Sequence, residues 1–226
     1  MALGRDISLC RKIKRDGKCG LSSRNYYFCV TIAITMQREY LEDIKEACRV
    51  MYEGGVILYP TDTIWGIGCD ATNEDAVRRV YRIKQRTDSK AMLVLVDSAV
   101  KVDFYVKDVP EVAWDLIELA DKPLTIIYPG ARNLAPGLLA EDGSVGIRVT
   151  HEEFSRRLCQ QFRKAIVSTS ANISGQPSPG CFAEISDELK SMVDYVVKAR
   201  RDETGGGKPS SIIKLGEGGL VQVIRQ

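Results

Sequence analysis

The sequence predicts a single α/β domain, a twisted mixed sheet flanked by helices, preceded by a basic extension over residues 1–35. Three observations carry this reading. Short apolar runs bounded by turn residues recur along the chain and read as buried strands. Helical periodicity separates most of them, yet some follow one another with no helix between, which favours a mixed sheet over a purely parallel one. No internal repeat and no Pro/Gly/Ser-rich linker divides residues 36–226.

The elements follow in order. Tyr40, Leu41, Ile44, Cys48, Met51 and Tyr52 recur at helical spacing, and Gly54-Gly55 ends that helix. Residues 55–59 (GVILY) form a buried strand stopped by Pro60, and residues 65–69 a second extended piece. A helix over 73–85 carries Val77, Val80, Tyr81 and Lys84, with Thr72 or Asn73 as its cap. Residues 92–96 are a strand. Asp108-Val109-Pro110-Glu111 has the form of a capping box with Pro in the first turn and opens a helix to about residue 120. Strands follow at 124–128 and 145–149, then a second capping box, Thr150-His151-Glu152-Glu153, opening a helix to about 162. A strand at 165–168 empties into a polar loop, 169–180. A short helix over 182–190 and strands near 195–197, 211–215 and 221–224 complete the series.

Composition narrows the chemistry. Hydrophobic residues at 44% and charged residues at 27% are ordinary for a globular chain, and no apolar run approaches the ~20 residues of a membrane-spanning helix. The seven cysteines include no C-x-x-C pair, which argues against zinc ribbons and thioredoxin-type chemistry; their odd number and scatter fit reduced thiols in a cytoplasmic protein. With one histidine, His151, a His-rich metal site is excluded, and that residue reads as a helix-start residue of its capping box. The net charge of +2 hides an asymmetry: residues 1–35 hold seven Lys/Arg against Asp6 and Asp16, a net of +5. This leader reads as an upstream extension expected to pack poorly, because Met36 directly precedes the first amphipathic helix. A basic arm for nucleic acid and a targeting segment ahead of the apolar run 26–34 are the alternatives.

Two phosphate motifs fail. Gly205-Gly206-Gly207-Lys208-Pro209-Ser210 lacks the leading Gly of a P-loop, and Pro209 blocks the helix that must follow. Gly66-Ile67-Gly68 imitates a dinucleotide fingerprint inside an extended segment. Three polar clusters beside buried strands are more informative. Pro60-Thr61-Asp62-Thr63 puts hydroxyls and a carboxylate at a strand end, where open α/β sheets bind ligands. Arg82, Lys84, Arg86 and Lys90 crowd a helix end, either as a solvated face that complements the helix dipole or as a polyanion site; they share one face only if the helix stops there. Ser168-Thr169-Ser170-Ala171-Asn172-Ile173-Ser174-Gly175 is either an ordinary turn or a loop whose small residues admit a nucleotide closely. Arg148, at a strand end, suits a carboxylate. Cations, hydroxyls and amides without a nucleophile–base pair or a metal-ligand set fit catalysis by positioning and electrostatics. Nucleotidyl transfer is the natural class, with Mg²⁺ carried on the ATP phosphates and no protein ligand set.

At these residues the chain resembles the YrdC-type threonylcarbamoyl-AMP synthases. The carriers are Gly55-Val-Ile-Leu-Tyr-Pro-Thr-Asp-Thr63, Lys84-Gln85-Arg86 and Ser168-Thr-Ser-Ala-Asn-Ile-Ser-Gly175, in matching order and spacing. The resemblance runs from about residue 37 to the C-terminus, in the short form of the family, so a YrdC-like domain is expected over 36–226. It implies a concave, positively charged site that condenses L-threonine, bicarbonate and ATP to threonylcarbamoyl-AMP and pyrophosphate. Other proteins then transfer the threonylcarbamoyl group to the adenosine beside the anticodon of tRNA. It further implies Thr63, Arg148, Ser168 and Ser210 on the L-threonine side. Lys84 and Arg86 are the implied catalytic cations, and Arg86, Lys90, Ser144, Ser170, Asn172, Ser178 and Arg225 the implied ATP contacts. Ala91 stands where members often have Pro, and Leu95 where some have His. The alternatives are a non-catalytic protein that binds double-stranded RNA or tRNA, and a carbamoyl-adenylate-forming domain of the hydrogenase-maturation type, whose zinc-finger cysteines this chain lacks.

Overall fold

The computed structural model describes residues 40–85, 92–204, 207–216 and 220–226. Residue contacts divide the chain into Met1–Glu42 and Asp43–Gln226, and the second unit is the one described below. Its chain order is the end of helix α1 (residues 43–52), β1 (Ile57–Tyr59), β2 (Gly66–Gly68), α2 (Glu74–Ile83) and β3 (Leu93–Val96). Next come α3 (Val100–Tyr105), α4 (Glu111–Leu119), β4 (Leu124–Tyr128), β5 (Val145–Val149), α5 (Glu153–Phe162) and β6 (Ile166–Ser170). The last are α6 (Asp187–Met192), β7 (Tyr195–Val196), β8 (Ser211–Leu215) and β9 (Val221–Arg225).

Among the described residues the strands form one nine-stranded sheet in the order β7-β1-β2-β6-β3-β5-β4-β8-β9. Pairs β1/β7, β3/β5 and β4/β8 are parallel and the others antiparallel, so the mixed sheet expected from the bare strand pairs is what forms. Its packing is apolar: Tyr59, Ile67, Leu95, Ile126, Phe154, Leu158 and Phe162 are fully or almost fully buried. Each such side chain contributes about 1.5–3 kcal/mol by leaving water. Gly54 ends α1 because its φ of +80° is a backbone conformation that a side chain would oppose.

Several local expectations change. Asn73 caps α2, accepting from the N–H groups of Asp75 and Ala76, but the helix stops at Ile83 rather than running to 85. No capping box forms at 108–111: Pro110 occupies the cap position and no side chain bonds to the α4 amides. The box at 150–153 also fails, because Glu152 itself caps α5 through Phe154 N–H and Ser155 N–H. His151 therefore precedes the cap and is exposed. Helix α3 forms in a segment whose pattern predicts no element. The segment 182–190 splits into a 3₁₀ turn, Phe182–Glu184, and α6, which Ser186 caps. Strand β6 continues two residues beyond the expected 165–168, because ladder bonds to β2 hold Thr169 and Ser170 extended (Ile67↔Thr169, Gly66↔Ser170).

Candidate active site

The extension of β6 builds the site. Side chains alternate across a strand, and residues paired across neighbouring strands share a face. The pairings Leu93↔Ser168, Leu95↔Arg148 and Gly66↔Ser170 therefore put Ser168, Ser170 and Arg148 on one face of the sheet. There a cavity of about 210 Å³ is lined by Thr61, Thr63, Trp65, Arg148, Ser168, Ser170, Ser178, Ser210 and Arg225, with Met92, Leu93 and Ile212 as apolar floor. The cavity lies on a sheet face, whereas the turn 60–63 had suggested a strand-end site. Seven of the expected residues meet in it: Thr63, Arg148, Ser168, Ser170, Ser178, Ser210 and Arg225.

Hydroxyl geometry gives the cavity a polarity. Thr61 Oγ1 donates to Ile64 O at 2.7 Å and accepts the Thr63 N–H at 3.1 Å. Its single proton is used, so in the 3.0 Å contact between the two hydroxyls Thr63 is the donor. Thr63 Oγ1 thus offers lone pairs to a ligand N–H. Ser210 Oγ lies 2.8 Å from Thr125 Oγ1, and its carbonyl accepts both Nε (2.9 Å) and Nη2 (2.7 Å) of Arg225.

Arg148 is the most buried cation of the lining, with its side chain 3% exposed, and Asp62 lies 3.0 Å from Nη2. Its Nε–H is buried and has no hydrogen-bond partner among the described residues. A buried donor without an acceptor is costly, and a ligand carboxylate would supply one. Burial, and then the nearby Arg148 charge, push the Arg225 guanidinium below its ordinary value. Two cations that disfavour one another at one cavity make it receptive to an anion.

Lys84 stands just past α2, where Gln85 takes a left-handed φ of 48° and turns the chain away. The helix does stop at the basic cluster: Arg82 stays on the exposed helix, while Lys84 is 3% exposed and points inward. Its Nζ donates to Ser170 O (2.6 Å), Asn172 Oδ1 (3.1 Å) and Ser170 Oγ (3.3 Å), and its carbonyl accepts Ser174 N–H at 3.0 Å. Lys84 thereby shapes the loop after β6, and the Asn172 amide completes it by donating to Ile173 O and Gln176 O. Ser144, at the start of β5, is not among the residues lining the cavity; its hydroxyl donates to Asp142 Oδ1 at 2.6 Å. Arg86, Lys90 and Ala91 lie outside the described residues. Leu95 is fully buried beside Arg148. Among the described residues, no three His, Cys, Asp or Glu side chains gather as a metal-ligand set, and no helix is long and apolar enough to cross a membrane.

Asp62, Thr125 and Trp65 complete the surroundings without having been assigned a role from sequence. Thr125 did leave a signal: it is the one aliphatic hydroxyl in β4, among aliphatic neighbours and the terminal Tyr128. Such an interruption marks a side chain turned toward a polar neighbour.

Residues 49–226 match the Sua5/YciO/YrdC family model, described as "Telomere recombination". The chain belongs to the Sua5/YciO/YrdC family. It is 36% identical over 174 residues to a protein of Pseudoalteromonas translucida named threonylcarbamoyl-AMP synthase, covering 75% of this chain and 91% of that one. A Pseudomonas aeruginosa protein of the same name is 35% identical over 184 residues, covering 79% and 94%. Among solved structures, E. coli YciO superposes with a TM-score of 0.71 at 26% identity, covering 81% of this chain and 88% of that one. P. abyssi Sua5 complexed with L-threonine superposes with a TM-score of 0.69 at 25% identity, covering 76% of this chain. The match spans only 50% of that Sua5 chain. The family and the mixed α/β sheet are therefore as the motifs indicated.

Proposed function

We propose that this protein is a threonylcarbamoyl-AMP synthase, a nucleotidyltransferase that makes L-threonylcarbamoyl-AMP and pyrophosphate from L-threonine, bicarbonate and ATP. The observation that carries the reading is the cavity's donor–acceptor pattern. Arg148 brings a buried Nε–H without an acceptor, and Thr63 brings an oxygen free to accept. An amino acid matches both, its carboxylate on Arg148 and its nitrogen toward Thr63. The relatives' shared name and the L-threonine complex of Sua5 support the same assignment.

The steps balance as follows. Bicarbonate loses hydroxide to give CO₂, the threonine amine adds to that carbon, and the proton it loses neutralises the hydroxide, leaving a carbamate and one water. A carbamate oxygen attacks the α-phosphorus of ATP as the bond to pyrophosphate breaks. Mg²⁺ enters with the ATP phosphates as part of the substrate. Thr63, Arg148, Ser168 and Ser210 hold L-threonine. Lys84, Arg86 and Lys90 stabilise charge growing on the phosphates, and Ser144, Ser170, Asn172, Ser178 and Arg225 hold the nucleotide. Catalysis is by positioning, because the carbamate is its own nucleophile. In the same proposal the enzyme is cytoplasmic, and its labile product passes to proteins that modify tRNA beside the anticodon.

The test is pyrophosphate release from ATP and Mg²⁺ with L-threonine and bicarbonate each left out in turn. Release that needs both supports the reading, and Arg86→Ala then loses far more turnover than the surface change Arg156→Ala. Release indifferent to either co-substrate overturns it.

A further inference from the structure

We infer that Asp62 is a positioning residue that sets the Arg148 fork from outside the cavity, an inference that rests on the synthase reading above. None of the described residues lining the cavity is acidic, so the buried Arg148 draws its counter-charge from elsewhere. Asp62 supplies it at 3.0 Å, with side chains only 3% and 11% exposed. It does so from the far side. Asp62 lines a second cavity of about 120 Å³ together with Ile147, Val149, His151 and Glu152, and strand alternation places Ile147 and Val149 on the face opposite Arg148.

This placement resolves a conflict inherent in amino-acid recognition. A carboxylate inside the cavity would satisfy Arg148 but also repel the incoming anion. Placed behind, Asp62 lies 3.0 Å from Nη2 and leaves Nε–H without a hydrogen-bond partner, open to the ligand. The 3.0 Å contact does not have hydrogen-bond geometry, so it acts through charge. Neighbouring charge is committed elsewhere: the Glu152 carboxylate caps α5, accepts from Ser155 Oγ and pairs with Arg200 at 3.1 Å. The turn that carries Asp62 is pinned by hydrogen bonds: Thr61 Oγ1 donates to Ile64 O and accepts from Thr63 N–H, and Arg200 donates to Thr61 O at 3.0 Å. The Asp62 carboxylate is thus delivered to one place, and the guanidinium orientation follows from it.

The test is the steady-state kinetics of Asp62→Asn, Arg148→Met and the double variant, with Arg156→Ala as control and calorimetric binding of L-threonine alongside. Asp62→Asn is expected to raise the KM and Kd for L-threonine about 10- to 100-fold, the range for a contact to a charged group, while the KM for ATP and kcat stay within about threefold. Adding Asp62→Asn to Arg148→Met should change L-threonine affinity no further, because Asp62 acts through Arg148. A purely structural role would instead lower kcat and weaken binding of both L-threonine and ATP, or reduce the folded fraction. If the single Asn variant does not fold, the comparison of the double variant with Arg148→Met carries the test. Unchanged L-threonine affinity in Asp62→Asn, or an equal loss in the Arg148→Met background, overturns the inference. A wild-type chain that binds no L-threonine overturns the synthase reading instead.

Discussion

Lys84→Met removes one buried cation while keeping most of the side chain's volume, and the structure fixes what is lost. Three acceptors, Ser170 O, Asn172 Oδ1 and Ser170 Oγ, lie within 3.3 Å of Nζ. A hydrogen bond to a charged group contributes about 1.5–3 kcal/mol, and bonds within one network do not add fully, so the expected loss of stability is about 3–4 kcal/mol. For a chain of this size that corresponds to a fall in Tm of about 6–16 °C. Because the same side chain shapes the loop after β6, kcat/KM should also fall, by about 100- to 1,000-fold if Lys84 faces the developing phosphate charge. Urea denaturation gives the first number and pyrophosphate release, at a temperature where the variant is folded, the second. Asn172→Ala should cost stability too, and the double variant less than the sum of the two. A Lys84→Met protein within 1 kcal/mol of wild type in stability and within threefold in turnover (about 0.65 kcal/mol) refutes the role assigned to this network.

Three further outcomes follow from single contacts. Burial opposes ionisation of Asp194, but the Arg79 guanidinium and the Val56 N–H outweigh it and hold the carboxyl below its ordinary 3.8. Its contribution to stability is therefore complete above that value and lost as the pH falls through the folded one, so Asp194→Asn should be less stable at neutral pH and flatten the acid limb of the denaturation profile. Burial raises the Cys48 thiol to about 12, and those of Cys69 and Cys159 further still, while Cys181 is partly exposed. Among these four, alkylation of the native protein followed by peptide mass spectrometry should label Cys181 first and the others only on unfolding. A Cβ at Gly68 would lie 2.6 Å from Tyr59 Cε1 and 2.7 Å from Val167 O, so Gly68→Ala should cost about 1–3 kcal/mol in a chemical melt.

Much of the sheet was legible because buried strands are written as apolar runs. β3, β4, β5 and β8 lie within a residue of where the pattern put them. The capping boxes misled for a different reason: Ser/Thr/Asp and Glu at the right spacing state a local preference, whereas the neighbouring chain decides which side chain reaches the free amides. At α5 it was Glu152, one residue before the helix. The site was half legible. Ser168, Ser170 and Arg148 announce themselves as polar residues on apolar strands, and the structure brings them together. Asp62 stands in the same motif as Thr63, but its partner is 86 positions away, and only the fold shows which cation it faces. Thr125 interrupts the aliphatic run of β4, and the adjacent Ser210 hydroxyl explains the interruption.

The most direct test of the synthase reading follows carbon and phosphorus together. The full chain is incubated with ATP, Mg²⁺, L-threonine and carbon-13 bicarbonate, and the nucleotide products are resolved at once by mass spectrometry. A threonylcarbamoyl-AMP synthase gives an adenylate that carries threonine and one labelled carbon, formed in step with pyrophosphate and absent when either co-substrate is withheld. Hydrolysis of ATP to unlabelled AMP and pyrophosphate at the same rate without threonine, or no nucleotide product under any combination, contradicts the synthase reading.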